Sequence, residues 1–242
     1  MPAFFVHGVP DTHHLWDGVR QQVSRTDILA PDLPGFGWDA PAGFGSTKEE
    51  YVDWLISEVE KAGEPVDIVG HDWGALLVER LVCLRPDLVH TWAAGAGAID
   101  EAYVWHPAAQ IWQTPGQGEA FMQGMTEEAI VPIFVGDGMP EAVAKAIAAR
   151  IDDRMKAAIL PLYRSATNVG KEWGPALDDV KVPGLVICGE KDQYMTPDFH
   201  RRMARRTGAD VVTLPGGHWW PVQFPKEAAE ALERLWANAR SA

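Results

Sequence analysis

Short apolar runs alternate along the chain with stretches in which apolar residues recur every three or four positions. The runs are "AFFV" (3–6), "DILAPD" (27–32), "VDIVG" (66–70), "VHTWAAG" (89–95), "GLVICGE" (184–190) and "ADVVTLPG" (209–216). Each is nearly continuous rather than alternating, the pattern of strands buried on both faces of a parallel sheet. Between them the spacing predicts helices. Ser46-Thr-Lys-Glu49 reads as a capping box. Val52, Leu55, Ile56 and Val59 behind it share one face. After Gly74, the residues Leu77, Leu81, Leu84 and Leu88 form a stripe that should end near Pro86, and the last helix carries Ala228, Leu232 and Leu235. This alternation predicts an α/β fold with a doubly wound, mostly parallel sheet of about six strands. Ligands then bind at the C-terminal strand ends.

Residues 98–181 break the rhythm. No run there reads as a strand; aromatic residues, Gly/Pro turns and helical spacing (Val143, Ile147 and Ile151 behind Pro140) take its place. A long insertion between two strands predicts a functional lid. The expected organisation is a core of residues 1–97 and 182–242, with a helical lid of residues 98–181 inserted in the same domain.

Composition narrows the picture. The 242 residues suffice for one good-sized core. A formal net charge of -13 argues against nucleic acid and against anionic membranes as partners. Cys83 and Cys188 both sit in apolar contexts and read as buried free thiols, with no metal-type or disulfide-type spacing, which suits a reducing compartment. The N-terminal "MPAFFVHGVP" has no basic n-region, and no apolar run approaches the roughly 20 residues of a membrane helix. A cytoplasmic protein is expected. Several of the 11 tryptophans fall near the motifs below, which predicts an aromatic, apolar pocket.

The candidate chemistry centres on "IVGHDWGALL" (68–77), which places Asp72 on a tight turn between a strand and a helix. Such an aspartate can be a helix N-cap. It can equally be a nucleophile on an elbow of the G-x-S-x-G kind, with Asp in place of Ser. Two other residues favour the second reading. Asp192 in "CGEKDQYMTP" and His218 in "LPGGHWWP" each follow a predicted strand, in the order nucleophile, acid, histidine. In "FFVHGVP" the His7-Gly8 turn follows the first strand, so the amides of Val9 and Trp73 are the candidate oxyanion donors. A carboxylate that attacks saturated carbon forms an alkyl ester, which water can cleave. It needs no base of its own, so the histidine is free to activate that water. Epoxides and alkyl halides are the expected substrates, because an acyl substrate would give a mixed anhydride instead.

The segments "HGVP", "DLPGFG", "GHDWG", "GEKD" and "GHWWPVQFP" together resemble the Asp-nucleophile branch of the α/β-hydrolase superfamily, the epoxide hydrolases and haloalkane dehalogenases. The resemblance runs over nearly the whole chain and is closest to epoxide hydrolases. It implies an α/β-hydrolase fold, trimmed relative to members that begin with further antiparallel strands. In "LPLYRSATNVGKEW" (160–173) it implies that Tyr163 donates a hydrogen bond to the epoxide oxygen. The family's second lid tyrosine has no counterpart ahead of "QTPG" (113–116), where Tyr103, Trp105 and His106 are the substitutes. Haloalkane dehalogenases hold the halide with the tryptophan after the nucleophile, here Trp73, and a second donor. Val9 stands where that donor is often Asn, which leaves Trp105 or Trp112. His7 and Trp219, beside the motifs, complete the candidate pocket. No cation follows the nucleophile, as a small haloacid would require. The expectation is therefore a small, apolar, uncharged substrate, with no metal and no organic cofactor. The expected activity is opening of an epoxide to a diol. The alternatives are dehalogenation by the same triad, or ligand binding on a hydrolase fold.

Overall fold

The computed structural model describes residues 1–240. The strands β1 (Ala3–Val6), β2 (Ile28–Leu29), β3 (Val66–His71), β4 (Val89–Gly95), β5 (Gly184–Gly189) and β6 (Asp210–Leu214) form one sheet in the order β2-β1-β3-β4-β5-β6. Every pairing is parallel, with Phe5 opposite Val69 and Ile187 between Gly95 and Val212. The helices are α1 (Asp17–Arg20), α2 (Lys48–Glu60), α3 (Trp73–Leu84), α4 (Pro107–Gln113), α5 (Gln117–Gly124), α6 (Glu127–Gly136), α7 (Glu141–Ala148), α8 (Asp153–Ser165), α9 (Val169–Trp173), α10 (Pro197–Thr207), α11 (Trp220–Gln223) and α12 (Pro225–Ala239). Helix α3 lies against β3 and β4 with α2 beside it; α12 lies against β4, β5 and β6 with α1 beside it. No helix among the described residues is long and apolar enough to cross a membrane.

Every residue of β1, β3 and β5 is buried, as the continuous apolar runs require. The two edge strands differ from the sequence expectation. Strand β2 is only two residues long, and β6 is exposed or half-buried until Leu214. An edge strand has one unpaired side, so its run need not be buried on both faces. Three local readings are also corrected. The capping box lies one residue later than Ser46–Glu49, because Ser46 turns at φ 56° and Thr47 becomes the cap that accepts from the Glu50 N–H. Helix α3 stops at Leu84 because Arg85 precedes Pro86, which disfavours helical backbone. Leu84 is exposed, and Leu88 lies beyond in a separate 3-10 turn, so neither belongs to a buried stripe. Cys188 is buried as expected, but Cys83 is only half-buried; both are free thiols.

The chain leaves β1 for the edge strand β2 and returns to β3 on the other side of β1. The loops after β1 and β3 therefore diverge at a switch point, where an open parallel sheet leaves a crevice at its C-terminal edge. Helices α4–α9 and a 3-10 turn at Gly174–Asp179 fill the chain between β4 and β5, with no strand among them. This insertion packs on the core through aromatic rings, with Phe134 edge-on to Trp219 at 5.2 Å and Trp105 stacked on Trp73 at 5.8 Å.

The turn from β3 into α3 is too tight for side chains at its flanks. A Cβ on Gly70 would lie 2.3 Å from the Gly74 carbonyl oxygen, and one on Gly74 would lie 2.1 Å from the Val6 carbonyl oxygen. Both contacts are with backbone and cannot be relieved by a rotamer change. Gly74→Ala should cost about 3 kcal/mol of stability or prevent folding. Gly124→Ala, at a helical glycine with no atom within 4 Å of the added methyl, should be neutral or slightly stabilising. Chemical denaturation of the two variants checks the contrast.

Candidate active site

Asp72 occupies the tip of this turn at φ 54°, ψ -121°, a region that a non-glycine residue adopts only under strain. The strain aims its carboxylate out over the C-terminal end of the sheet. The Val9 N–H, in the loop after β1, donates to Asp72 Oδ1 at 2.7 Å. The Trp73 N–H also favours the charged form, as does the N-terminus of α3 that Asp72 caps. Burial nonetheless pushes the Asp72 carboxyl above the ordinary carboxylate range, opposed by His218 and by these two amides.

Asp192 follows β5 and His218 follows β6, as the sequence expectation has them. Backbone bonds from Glu190 to Leu214 and from Lys191 to Gly216 continue the β5–β6 ladder and hold the two loops side by side. The N–H groups of Tyr194 and Met195 donate to Asp192 Oδ1, which leaves Oδ2 for His218 Nδ1–H at 3.2 Å. The other face of the imidazole, Nε2, stands 3.7 Å from Asp72 Oδ2. Burial acts to raise Asp192, but the facing His218 and the Met195 N–H outweigh it, so the carboxyl sits below its usual range. Burial acts to lower His218, and the Asp192 and Asp72 carboxylates outweigh it, so the imidazole is raised above 6.5.

A cavity of about 360 Å³ opens over Asp72, between the strand ends and the insertion. Val9, Tyr103, Trp105, His106, Trp112, Tyr163 and Trp219 all line it, as expected. His7 does not. It is fully buried beneath the loop, with Nδ1–H donating to the Gly8 carbonyl at 2.9 Å and Nε2 accepting from the Leu33 N–H at 3.0 Å. Both of its nitrogens are consumed in holding two loops together.

The donor capacity of the lining residues separates them. The Trp105 indole N–H is spent on the Ala166 carbonyl, and the Tyr103 hydroxyl on the Tyr194 carbonyl. His106 caps α4, its Nδ1 accepting from the Ala109 N–H, and burial lowers its pKa to about 4. Among the described residues the indole Nε1 atoms of Trp73, Trp112 and Trp219 have no partner. The Trp73 N–H comes close enough to the Tyr163 oxygen to favour its ionised form without making a hydrogen bond of good geometry. Tyr163 itself is ringed by Trp112, Trp105 and Trp73 at centroid distances of 4.7, 5.2 and 5.4 Å. Burial, and then the nearby Asp72 carboxylate, raise its phenol well above 10, so it remains a neutral O–H donor.

Four residues that sequence reasoning passed over also shape the site. His71 is buried beside Asp72, and its Nε2–H donates to the His218 carbonyl at 2.8 Å. Tyr194 lines the cavity with its ring 5.0 Å from His218. Asp137 and Gln223 bond to the loops around the triad. Tyr194 follows Asp192 by two residues and Gln223 lies within "GHWWPVQFP", so both stood inside quoted motifs; Asp137 carries no comparable signal. Among the described residues no group of three or more His, Cys, Asp or Glu could hold a metal ion.

The model of a family described as "Alpha/beta hydrolase family" matches residues 3–231. A haloalkane dehalogenase of Bradyrhizobium diazoefficiens is 24% identical over 251 residues, covering 89% of this chain and 80% of that protein. An enzyme named epoxide hydrolase 2, from Siraitia grosvenorii, is 37% identical over 92 residues, 36% of this chain and 29% of its own length. Among solved structures, haloalkane dehalogenase DbeA from Bradyrhizobium elkani superposes with a TM-score of 0.74 at 24% identity, covering 98% of this chain and 91% of that one. A thermophilic esterase from Thermogutta terrifontis superposes with a TM-score of 0.78 at 19% identity, covering 99% and 90%. At these identities the two structures share the fold with this chain.

The electrostatics around His218 have a direct consequence. An imidazole that acts as a base must be neutral, so base-dependent turnover should climb with pH as His218, held protonated chiefly by the Asp192 carboxylate, gives up its proton. Asp192→Asn removes the charge that raises His218. The rising limb of a pH–rate profile should then move to lower pH, while the plateau falls by about 100-fold or more.

Proposed function

The chain belongs to the alpha/beta hydrolase family, and on that premise we propose that it opens an apolar epoxide to a diol through an alkyl ester on Asp72. In the first step Asp72 Oδ2 attacks an epoxide carbon while Oδ1 stays on the Val9 N–H. The carbon–oxygen bond of the ring breaks, and the departing oxygen takes a hydrogen bond and then a proton from Tyr163. In the second step His218 Nε2 removes a proton from water, which adds to the Asp72 carboxyl carbon. Oδ1 then carries the negative charge between the Val9 and Trp73 amides. Collapse of that adduct breaks its bond to the diol oxygen, which takes the adduct's hydroxyl proton, so the diol leaves and the carboxylate is restored. The proton held on His218 returns through solvent to the Tyr163 phenolate. Ester formation also removes the Asp72 charge that helped to protonate His218, so the imidazole becomes a more available base when it is needed.

The observation that carries this reading is the placement of Tyr163, a buried side chain that lines the same cavity as Asp72 and His218 and brings a phenolic O–H to it. An opening epoxide generates an alkoxide, which needs a proton that an indole N–H cannot give up. The surrounding rings and the small polar surface fit an uncharged, apolar substrate. No nucleic acid, membrane or cofactor enters this scheme.

The unpartnered N–H groups of Trp73 and Trp112 favour a second reading. A halide needs donors but no proton, and two indole N–H groups serve it well. The relatives named haloalkane dehalogenase support the same alternative.

Trapping the ester tests both. His218→Gln should form the ester and fail to hydrolyse it. Incubation with styrene oxide should add the whole epoxide mass to the peptide that carries Asp72. Incubation with 1-bromohexane, if the second reading holds, adds the hexyl group with loss of HBr. Tyr163→Phe should slow epoxide-dependent ester formation by about 100-fold and leave any halide-dependent reaction within a few-fold. No adduct from either compound, together with tight binding of both, would mark the chain as a ligand-binding protein.

A further inference from the structure

Two hydrogen bonds to Asp137 join the insertion to the segments that carry the acid and the histidine, and two more run within those segments. The Tyr194 N–H donates to Asp192 Oδ1 at 2.8 Å, and the Tyr194 hydroxyl donates to Asp137 Oδ2 at 2.8 Å. Gln223 Nε2–H donates to the Asp137 carbonyl at 2.9 Å, while Gln223 Oε1 accepts from the Gly217 N–H at 2.8 Å. Gly217 precedes His218, whose Nδ1–H returns to Asp192 at 3.2 Å. The bonds therefore close a ring: Asp192, Tyr194, Asp137, Gln223, Gly217, His218 and back to Asp192. Asp137, at the C-terminal end of α6, is its one member from the insertion.

The surroundings are shaped to admit this ring. Gly138 adopts φ +89°, and a Cβ there would lie 2.5 Å from Gln223 Nε2. A Cβ on Gly216 would lie 2.5 Å from Gln223 Oε1. Two chain segments thus carry glycine where the Gln223 amide passes between them. The insertion grips Tyr194 a second time, through the Tyr103 hydroxyl on its carbonyl at 3.1 Å. The Asp137 carboxylate also lies near enough to His218 to favour its charged form.

We propose that Asp137, Tyr194 and Gln223 form a clamp by which the insertion positions the His218–Asp192 pair for the hydrolytic half of the reaction. They are positioning residues and act through His218 and Asp192. The inference rests on the two-step reading above and separates its halves. Ester formation needs Asp72, the Val9 amide and a leaving-group donor, and the clamp bonds to none of these. Ester hydrolysis needs the imidazole over the Asp72 carboxyl carbon, and a displacement of about 1 Å can cost about 100-fold in rate.

Rapid-quench mass spectrometry resolves the two steps, with whichever of styrene oxide and 1-bromohexane labels Asp72 in His218→Gln. Asp137→Ala and Gln223→Leu should keep the rate of ester formation within about twofold and slow hydrolysis by about 10- to 100-fold. The Asp72 ester should then accumulate during turnover to a higher level than in the parent enzyme. Asp137→Asn keeps an acceptor oxygen for Tyr194 and should restore most of the hydrolysis rate. Tyr194→Phe removes a single hydroxyl and provides the same readout if the larger changes prevent folding. Hydrolysis at the parent rate in these variants, or an equal slowing of both steps, overturns the clamp. The absence of any ester in His218→Gln removes instead the reading on which it rests, and the clamp with it.

Discussion

A carboxylate, Asp72, is held at the floor of an apolar cavity, and the groups around it answer that one constraint. Removing Asp72 from water favours its neutral form. The fold opposes this with the Val9 amide, the Trp73 amide, the end of α3 and the titratable His218 imidazole rather than with a permanent lysine or arginine cation. A lysine or arginine there would quench the nucleophile by pairing with it. The Val9 N–H holds Oδ1, and Oδ2, the oxygen that attacks in the proposed reaction, faces His218. The same donors sit where charge would develop when water adds to an ester, so one set of amides serves both chemical steps of the proposed reaction.

That arrangement is available because of the strand order. Val9 and Asp72 are far apart in sequence, and they meet because β1 and β3 are neighbours whose connection leaves through the edge strand. The strained turn at Asp72 is tolerable only with glycine on both sides, where backbone from β1 and α3 crowds in. The sheet thus supplies Asp72 and the two amides beside it, the nucleophile and oxyanion donors of the proposed reaction, as one unit. Tyr163, the leaving-group donor of the proposed reaction, comes from the insertion, where three rings surround it.

This division explains what could be read from the sequence. The sheet and the triad positions were legible because strands buried on both faces leave continuous apolar runs, and the three loops follow them directly. Edge strands were less legible, since β2 and β6 carry apolar residues without full burial. In the insertion the periodicity indicated helices and proximity to motifs indicated a pocket, but neither says which polar atom is already in use. His7 stands beside the Gly8 turn and yet spends both nitrogens on backbone groups. Trp105 and Trp112 look equivalent as sequence, yet only Trp112 keeps a free N–H. Such differences depend on partners distant in the chain, such as Ala166 for Trp105, and no local pattern encodes them.

Asp137 shows the same limit in its strongest form. As sequence it is an acidic residue before a glycine at the end of a helical stretch, a common setting for a solvated turn. Its role becomes visible only once α6 is laid against the acid and histidine loops, where its carbonyl and its carboxylate are taken by two different loops. A cover that merely excluded water would need apolar contacts such as Phe134 on Trp219. Directional bonds that close a ring through the His218–Asp192 pair do more, because they make the placement of the base depend on the placement of the cover. In a two-step reaction that dependence is useful. In the proposed reaction, water would be activated where the insertion is seated on the base, while Asp72, built on the sheet alone, would be ready beforehand.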